Sequence, residues 1–220
     1  MNRPVSPFGI WEQTLFGPLC VGWRRKWIEV RECDASAADE MVEAHHYSGK
    51  ATQNRFLSLG VYAPTIRAGM LGVLQLGYGI RPAIKGTWGG QVTGENSREF
   101  DRMWLDDCLP KFSETIALSC LEHYLRARWT NVRFLITYAD GSTGRTGTIY
   151  KAANYTPCGS IPADFYILAS GERVHPVTMW HRHGTRAWET LQRLYPGIRK
   201  AEGRQFRFIK DLRPEKGNEK

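Results

Sequence analysis

Across residues 27–139 short β-type runs alternate with two helical ones, and this alternation restricts the chain to a mixed α/β layer architecture. Residues 27–33 (WIEVREC) alternate as a strand does, and Asp34 offers a cap for a helix over 35–45. Residues 54–63 and 69–77 are β-rich runs separated by a turn containing Pro64 and Gly69, which predicts a hairpin. Five glycines mark 79–97 as a loop before a strand over 99–107. Apolar residues at Ile116, Ala117, Cys120, Leu121, Tyr124 and Leu125 predict an amphipathic helix over 113–129, followed by an apolar strand over 133–139. Further on, the pattern predicts a short helix over 148–153, a strand pair from 155–159 and 164–169, a helix over 188–195 and an edge strand over 205–212. One layered sheet with helices on both faces follows. The expected organisation is an N-terminal arm (1–25), one domain with a basic C-terminal extension (26–212) and a mobile tail (213–220).

With 42% hydrophobic residues the chain can build a core, and none of its apolar runs reaches the roughly 18 residues of a membrane span. The N-terminus lacks the pattern of a secretory signal, and five cysteines without paired short spacing read as reduced thiols, so a cytoplasmic setting is expected. Net charge is +8, and from Gly171 onward twelve Lys or Arg face six Asp or Glu, interleaved with Trp180, Trp188, Tyr195, Phe206 and Phe208. Cations hold phosphates and flat rings stack on bases, so nucleic acid is a natural partner, although a basic surface also serves solubility and rings also fill cores.

Four segments carry chemistry. Tyr138 to Tyr150 (YADGSTGRTGTIY) begins at the carboxyl end of the apolar strand, where ligands favour α/β sheets. Gly144 and Gly147 let amides approach an anion, Arg145 adds a charge, Asp140 suits a general base or metal ligand, and Tyr150 suits a proton donor. A flexible turn is the plain alternative. His45-His46-Tyr47-Ser48-Gly49-Lys50 ends the first helix, either lining a cleft or capping helix carbonyls. Ser113, with Lys111 before it, opens the long helix as an N-cap or as part of an anion site. Trp180-His181-Arg182-His183 would place both histidines on one face of a strand, facing metal or, more plausibly, DNA phosphate.

In this order the segments HHYSGKATQNRFLSLGVY, GVLQLGYGI, EFDRMWLDDCLPKFSETIALSCL, ITYADGSTGRTGTIYKAANYTPCGS and WHRHGTRAW resemble the Mom family of phage DNA-modifying proteins, over residues 45–188. The resemblance implies a GNAT-like acyltransferase fold with a sheet splayed between central strands. It implies methylcarbamoylation of the adenine amine in double-stranded DNA, which protects the DNA from host restriction. Acetyl-CoA or a related acyl-CoA and iron are the implied cofactors, no membrane is involved, and a homodimer stays open. Carried over to this sequence, the catalytic positions are His46, Tyr47, Asp140 and Tyr150, with His46 and Asp140, joined by His45, as candidate iron ligands. Ser113 and Ser119 match more loosely, and with Lys111, Gly144, Arg145 and Gly147 they form the expected cofactor set. His181, Arg182, His183 and Arg186 form the expected DNA contact. One departure is that LPKFSE replaces the Q/R-x-x-G-x-G/A loop with which most GNAT enzymes hold pyrophosphate. The alternatives are an N-acetyltransferase for a protein or small-molecule amine, and a DNA-binding module without activity.

Overall fold

The computed structural model describes residues 6–79 and 89–213. The glycine-rich stretch expected as a loop lies partly outside the described residues, as does most of the expected tail. Two compact units are present, one comprising residues 1–137, 149–156 and 208–220, the other residues 138–148 and 157–207.

In the first unit the strands follow the order β1 (Gly9–Thr14), β2 (Gly17–Arg25), β3 (Ile28–Glu32), β4 (Arg55–Ala63), β5 (Arg67–Gly77), β6 (Ser97–Leu105) and β7 (Phe134–Asp140). Every pair from β1 to β6 is antiparallel, and β6 pairs with β7 in parallel. The expected N-terminal arm is therefore a hairpin continuing the sheet. Its alternation is masked because Cys20, Val21 and Gly22 are all buried in succession.

Two helices of this unit cover opposite faces, which the strand register establishes. Val30, Val61 and Gly72 stand in one cross-strand row, and in α2 (Ser113–Arg128) Tyr124 donates to Glu32, two residues along β3 from Val30. Helix α1 (Ala35–His45) packs Ala38 and Val42 on Val73 and Trp104, on the other face. Asp34 caps α1 through bonds from the amides of Ser36 and Ala37, as its sequence position predicts.

β6 and β7 are in register only from Ser97 with Phe134 to Phe100 with Thr137, whereas β6 continues to Leu105 and β7 to Asp140. That limited pairing agrees with the expected splay. Opposite β5, the register slips between Gln75, which faces Arg102, and Leu76, which faces Phe100. Asp101 is thus the extra residue of a bulge, a device that re-aims a side chain.

In the second unit β9 (Tyr166–Ile167) lies between β10 (Arg173–Val174) and β11 (Arg199–Lys200), and α4 (Pro176–His183) and α5 (Trp188–Leu194) complete the fold. Tyr166, Leu168, Val174, Met179, Leu191 and Ile198 form its core. The expected strand pair of 155–159 with 164–169 does not form. β8 (Thr156–Pro162) instead neighbours β12 (Arg204–Asp211), where Arg207 donates to the Cys158 carbonyl at 2.7 Å, and β9 joins the small sheet. β12 has β7 on its other side and is no edge strand.

Phe112 precedes α2 with φ of 72°, in the left-handed region, without a side-chain cap bond and with 73% of its surface exposed. Phe112→Gly should raise stability by about 1 kcal/mol, because glycine carries no Cβ penalty there and little packing is lost. Chemical denaturation measures this, and an unchanged or lower midpoint contradicts it.

Candidate functional site

Within the first unit, the site is built where the loop after α1 meets β6. His46 ends α1, its amide donating to the Val42 carbonyl at 2.9 Å. The Ser48 amide donates to His46 Nδ1 at 3.2 Å, and Ser48 Oγ lies 2.8 Å from the same nitrogen. An Nδ1 that accepts is bare, so the neutral ring carries its proton on Nε2. The Tyr47 ring lies 4.2 Å from the His46 ring and is half exposed, while His45 stacks on Trp104 at 4.3 Å. The two histidines therefore serve different roles, as adjacent residues at a helix end must. Arg102 ties this loop to the sheet, donating from Nε to the Lys50 carbonyl and from Nη1 to that of Asp101, each at 2.9 Å.

The same face of β6 holds a carboxyl pair that sequence reading missed. Asp101 is hydrogen-bonded to Glu99, and its pKa is raised to about 7, by burial first and by the Glu99 charge second, against a smaller opposing effect of Arg102. Space for it is made by Gly77. A Cβ there would lie 2.5 Å from Asp101 Oδ2, 2.9 Å from the Asn54 carbonyl and 3.3 Å from Thr52 Cγ2. Nothing in REFDRM announces this site, since a strand of alternating charges reads as a solvated face. The only sequence signal was Gly77 ending an apolar strand opposite two acids, and it needs the register to be seen.

Tyr150, on the single-turn helix α3 (Thr148–Ala152), packs against Phe100, Tyr155 and Phe208 with ring centroids 6.4, 5.7 and 5.5 Å away. Behind it Lys210 donates to the Ala153 carbonyl at 2.8 Å and pairs with the buried Glu122 at 3.6 Å. Burial pushes the Glu122 carboxyl up, against the lowering effect of Lys210.

Ser113 is buried, its hydroxyl donating to the Pro110 carbonyl at 2.7 Å and accepting from Trp27 Nε1 at 3.1 Å. Ser119 accepts from Arg25 at 2.6 Å. Both hydroxyls are thus engaged within the protein, whereas Lys111 is exposed beside the uncapped start of α2. The turn before it is pinned by Asp106, held at a pKa of about 2 by the Cys108 amide and by Arg67.

In the second unit Asp140 caps the 3-10 turn Gly141–Thr143. Its Oδ1 accepts from Ser142 N at 3.0 Å and Ser142 Oγ at 2.5 Å, and its Oδ2 pairs with Arg173 at 3.0 Å. Arg173 also donates to Ser142 Oγ at 2.8 Å. This arrangement suits an anchor of the glycine-rich bend better than a base. Gly144 and Gly147 take φ of 77° and 73°, and Arg145 between them is exposed. α3 starts only at Thr148 and makes a single turn, so it supplies little dipole to an anion.

The pair His46 and Asp140 does not fit an iron site. A guanidinium on one carboxylate oxygen and two donors on the other oppose a cation, and among the described residues no group of three His, Cys, Asp or Glu converges as a ligand set.

His181, Arg182 and His183 lie on α4, not on a strand. Pro176 at its first turn and the His175 side chain, accepting from Val177 N at 3.1 Å, start a helix, and residues two apart then point to different faces. Arg182 pairs with Glu172 at 3.1 Å and His183 Nε2 lies 2.7 Å from the Tyr195 hydroxyl, while Arg186 sits 5.8 Å over the half-exposed Trp180 ring.

Among the described residues no helix is long and apolar enough to cross a membrane. Residues 27–219 match the model of the Mom protein family. The chain is 32% identical over 159 residues to the methylcarbamoylase mom of Escherichia phage Mu, covering 72% of this chain and 64% of that relative. It is also similar in structure to the ribosomal-protein-S5-alanine acetyltransferase of Vibrio fischeri, with a TM-score of 0.50 and 10% identity, over 87% of this chain and 97% of that one. The latter likeness is one of fold, and it agrees with the partly paired central strands expected of a GNAT-like sheet. With the family model spanning both units and the Mu relative matching most of the chain, the chain belongs to the Mom protein family.

Proposed function

We propose that this chain is a transferase that places a methylcarbamoyl group on the exocyclic amine of adenine in DNA, acting in the cytoplasm of a phage host and shielding the DNA from restriction. The reading is carried by the 32% identity to a methylcarbamoylase. The chemistry on β6 supports it. Adenine's amine is a poor nucleophile because its lone pair is delocalised into the ring, so the transfer calls for a proton acceptor and close positioning. Asp101, with a pKa near 7, takes the amine proton as the new bond to nitrogen forms. His46, with its proton on Nε2, and the half-exposed Tyr47 supply donors and a ring beside the strand.

An acyl-CoA would be held by Lys111 and the uncapped amides opening α2. When bound it supplies an activated carbonyl. Acetyl transfer alone leaves an acetyl group, and placing a nitrogen between its methyl and carbonyl carbons breaks that bond and removes two electrons from carbon, so the nitrogen has to arrive on a further reactant that is itself reduced in the step. Ser113, buried and doubly bonded, shapes the start of α2 and does not itself touch a ligand in this reading.

DNA would be met by His181, Arg186 and Trp180, with Arg182 exchanging its exposed partner Glu172 for phosphate. The target base must leave the stack, because its amine is sheltered by pairing. Expression of the chain, digestion of cellular DNA to nucleosides and mass spectrometry test the reading. A heavier deoxyadenosine carrying the methylcarbamoyl mass is expected. Unaltered deoxyadenosine in cells containing the folded protein refutes it.

A further inference from the structure

We propose that the start of β4, the end of β5, the start of β6 and the end of α2 form a binding face for an unpaired DNA strand, with a base stacked on Tyr78 and a phosphate at Arg128. This deepens the reading above by naming the form in which DNA is held, and it rests on that reading.

The face is built from rings and guanidinium groups in alternation. The Arg98 guanidinium lies 4.4 Å from the Phe56 ring centroid and 5.0 Å from that of Tyr78, and the two rings meet edge to face at 5.3 Å. Phe56 in turn meets Trp129 edge to face at 4.8 Å, and Arg128 lies 4.7 Å over Trp129. Four stretches distant in sequence thus converge, because β4, β5 and β6 are neighbours in the sheet and Trp129 ends α2 against Phe56. Tyr78 directly follows Gly77, over which Asp101 lies, so the face adjoins the candidate site.

Its charge is not balanced from within. Arg98 is only 7% exposed, yet among the described residues it has no carboxylate partner. Its Nη1 donates to the carbonyls of Gly94, Glu95 and Ser97, and its Nε has no hydrogen-bond partner. Arg128 likewise forms no ion pair among the described residues and has an unpartnered Nε, whereas the neighbouring Arg126 and Arg133 are matched to Glu122 and Asp211. Of the acids close by, Glu32 accepts from Tyr124, and Glu95 meets Arg98 through its main chain. Buried cations are ordinarily paired, so two guanidinium groups without carboxylates on one face favour an anion arriving from outside. Tyr78 is half exposed with Arg98 over its ring, so ring surface remains for a base. Such stacking tolerates any base and needs one that has left the duplex, where neighbouring bases cover its faces. An unpaired strand therefore satisfies both groups, whereas intact duplex offers this face its phosphates but no open base.

The test measures binding and needs neither donor nor turnover. Fluorescein-labelled oligothymidylate, single-stranded or annealed to oligodeoxyadenylate, is titrated with the full chain by fluorescence anisotropy over a range of salt. The single strand should bind more tightly than the duplex. Tyr78→Ala should weaken binding of the strand about tenfold, the worth of one stacked base, and leave the duplex nearly unchanged, whereas Tyr78→Phe should keep the affinity of the parent. Arg128→Gln should lower the slope of log affinity against log salt by about 0.7, the signature of one phosphate contact to a single strand. A stack of rings and cations that serves stability alone moves neither quantity in a folded variant, which circular dichroism identifies, and should Tyr78→Ala not fold, Arg128→Gln decides. Either folded variant matching the parent overturns the proposal, as does a preference for duplex. Binding to phosphatidylserine vesicles that Tyr78→Ala abolishes, with the strand unaffected, overturns it in favour of a lipid contact. None of these results bears on whether cellular DNA is modified, so failure here is distinct from failure of the function.

Discussion

Asp101→Asn should lower the rate of adenine modification by two to four orders of magnitude, the usual contribution of a general base, while leaving a protein more stable above neutrality than the parent. The sign follows from the raised pKa. A free aspartate titrates near 3.8 and Asp101 near 7, so between these values the folded chain binds more protons than the unfolded one, and stability falls as pH rises across that interval. Asparagine has no charge to desolvate, so the variant should gain on the order of 1–2 kcal/mol at pH 8 and nothing at pH 4. Activity of the parent should rise through pH about 7 as the carboxyl ionises. Thermal unfolding at the two pH values, with nucleoside analysis of DNA from expressing cells, checks both halves. Full modification by the variant removes Asp101 from the reaction, and a loss of stability at pH 8 contradicts the assigned burial cost.

Arg173→Ala should cost the second unit about 2–3 kcal/mol, because it removes the guanidinium paired with Oδ2 of the buried Asp140 carboxylate. Part of the guanidinium is exposed, which keeps the effect below that of a fully buried pair. It also stacks 4.6 Å over Phe165, so Arg173→Met separates lost packing from lost charge. Pairing the change with Asp140→Asn should restore most of the loss in a double-mutant cycle. Additive losses would show that the two side chains do not depend on one another. Asp140→Asn alone should disturb the 3-10 turn while Ser142 can still donate to the amide oxygen, so its effect on modification should be far smaller than that of Asp101→Asn.

Elements with a local cause were legible in the sequence. Asp34 capping α1, the apolar spacing of α2 and the hairpin of β4 with β5 arise from residues near one another in the chain, and each lies within a few positions of its expected bounds. Elements decided by distant partners were not. The two-residue strand β9 has no pattern of its own and is defined by β10 and β11, and β12 reads as an edge until β8 is placed beside it. The His-Arg-His segment was given a strand's periodicity although Pro176, five residues earlier than His181, starts a helix. For the site, the His46–Tyr47 segment stands where expected at the end of α1, but the acid with the most perturbed environment was hidden. Asp101 shares a strand face with Glu99 two residues away and lies over Gly77 of the neighbouring strand, and that cross-strand register is not visible in the sequence.

The β1–β2 hairpin precedes residue 27, where the match to the family begins, and it occupies the flank of β3 that β4 leaves bare. A version of the chain starting at β3 would present the amides and carbonyls of Ile28–Glu32 to solvent, next to a His123 ring stripped of Trp23. Such an unguarded margin is a template for intermolecular pairing, so the N-terminal ribbon acts as a guard against self-association as well as a part of the core.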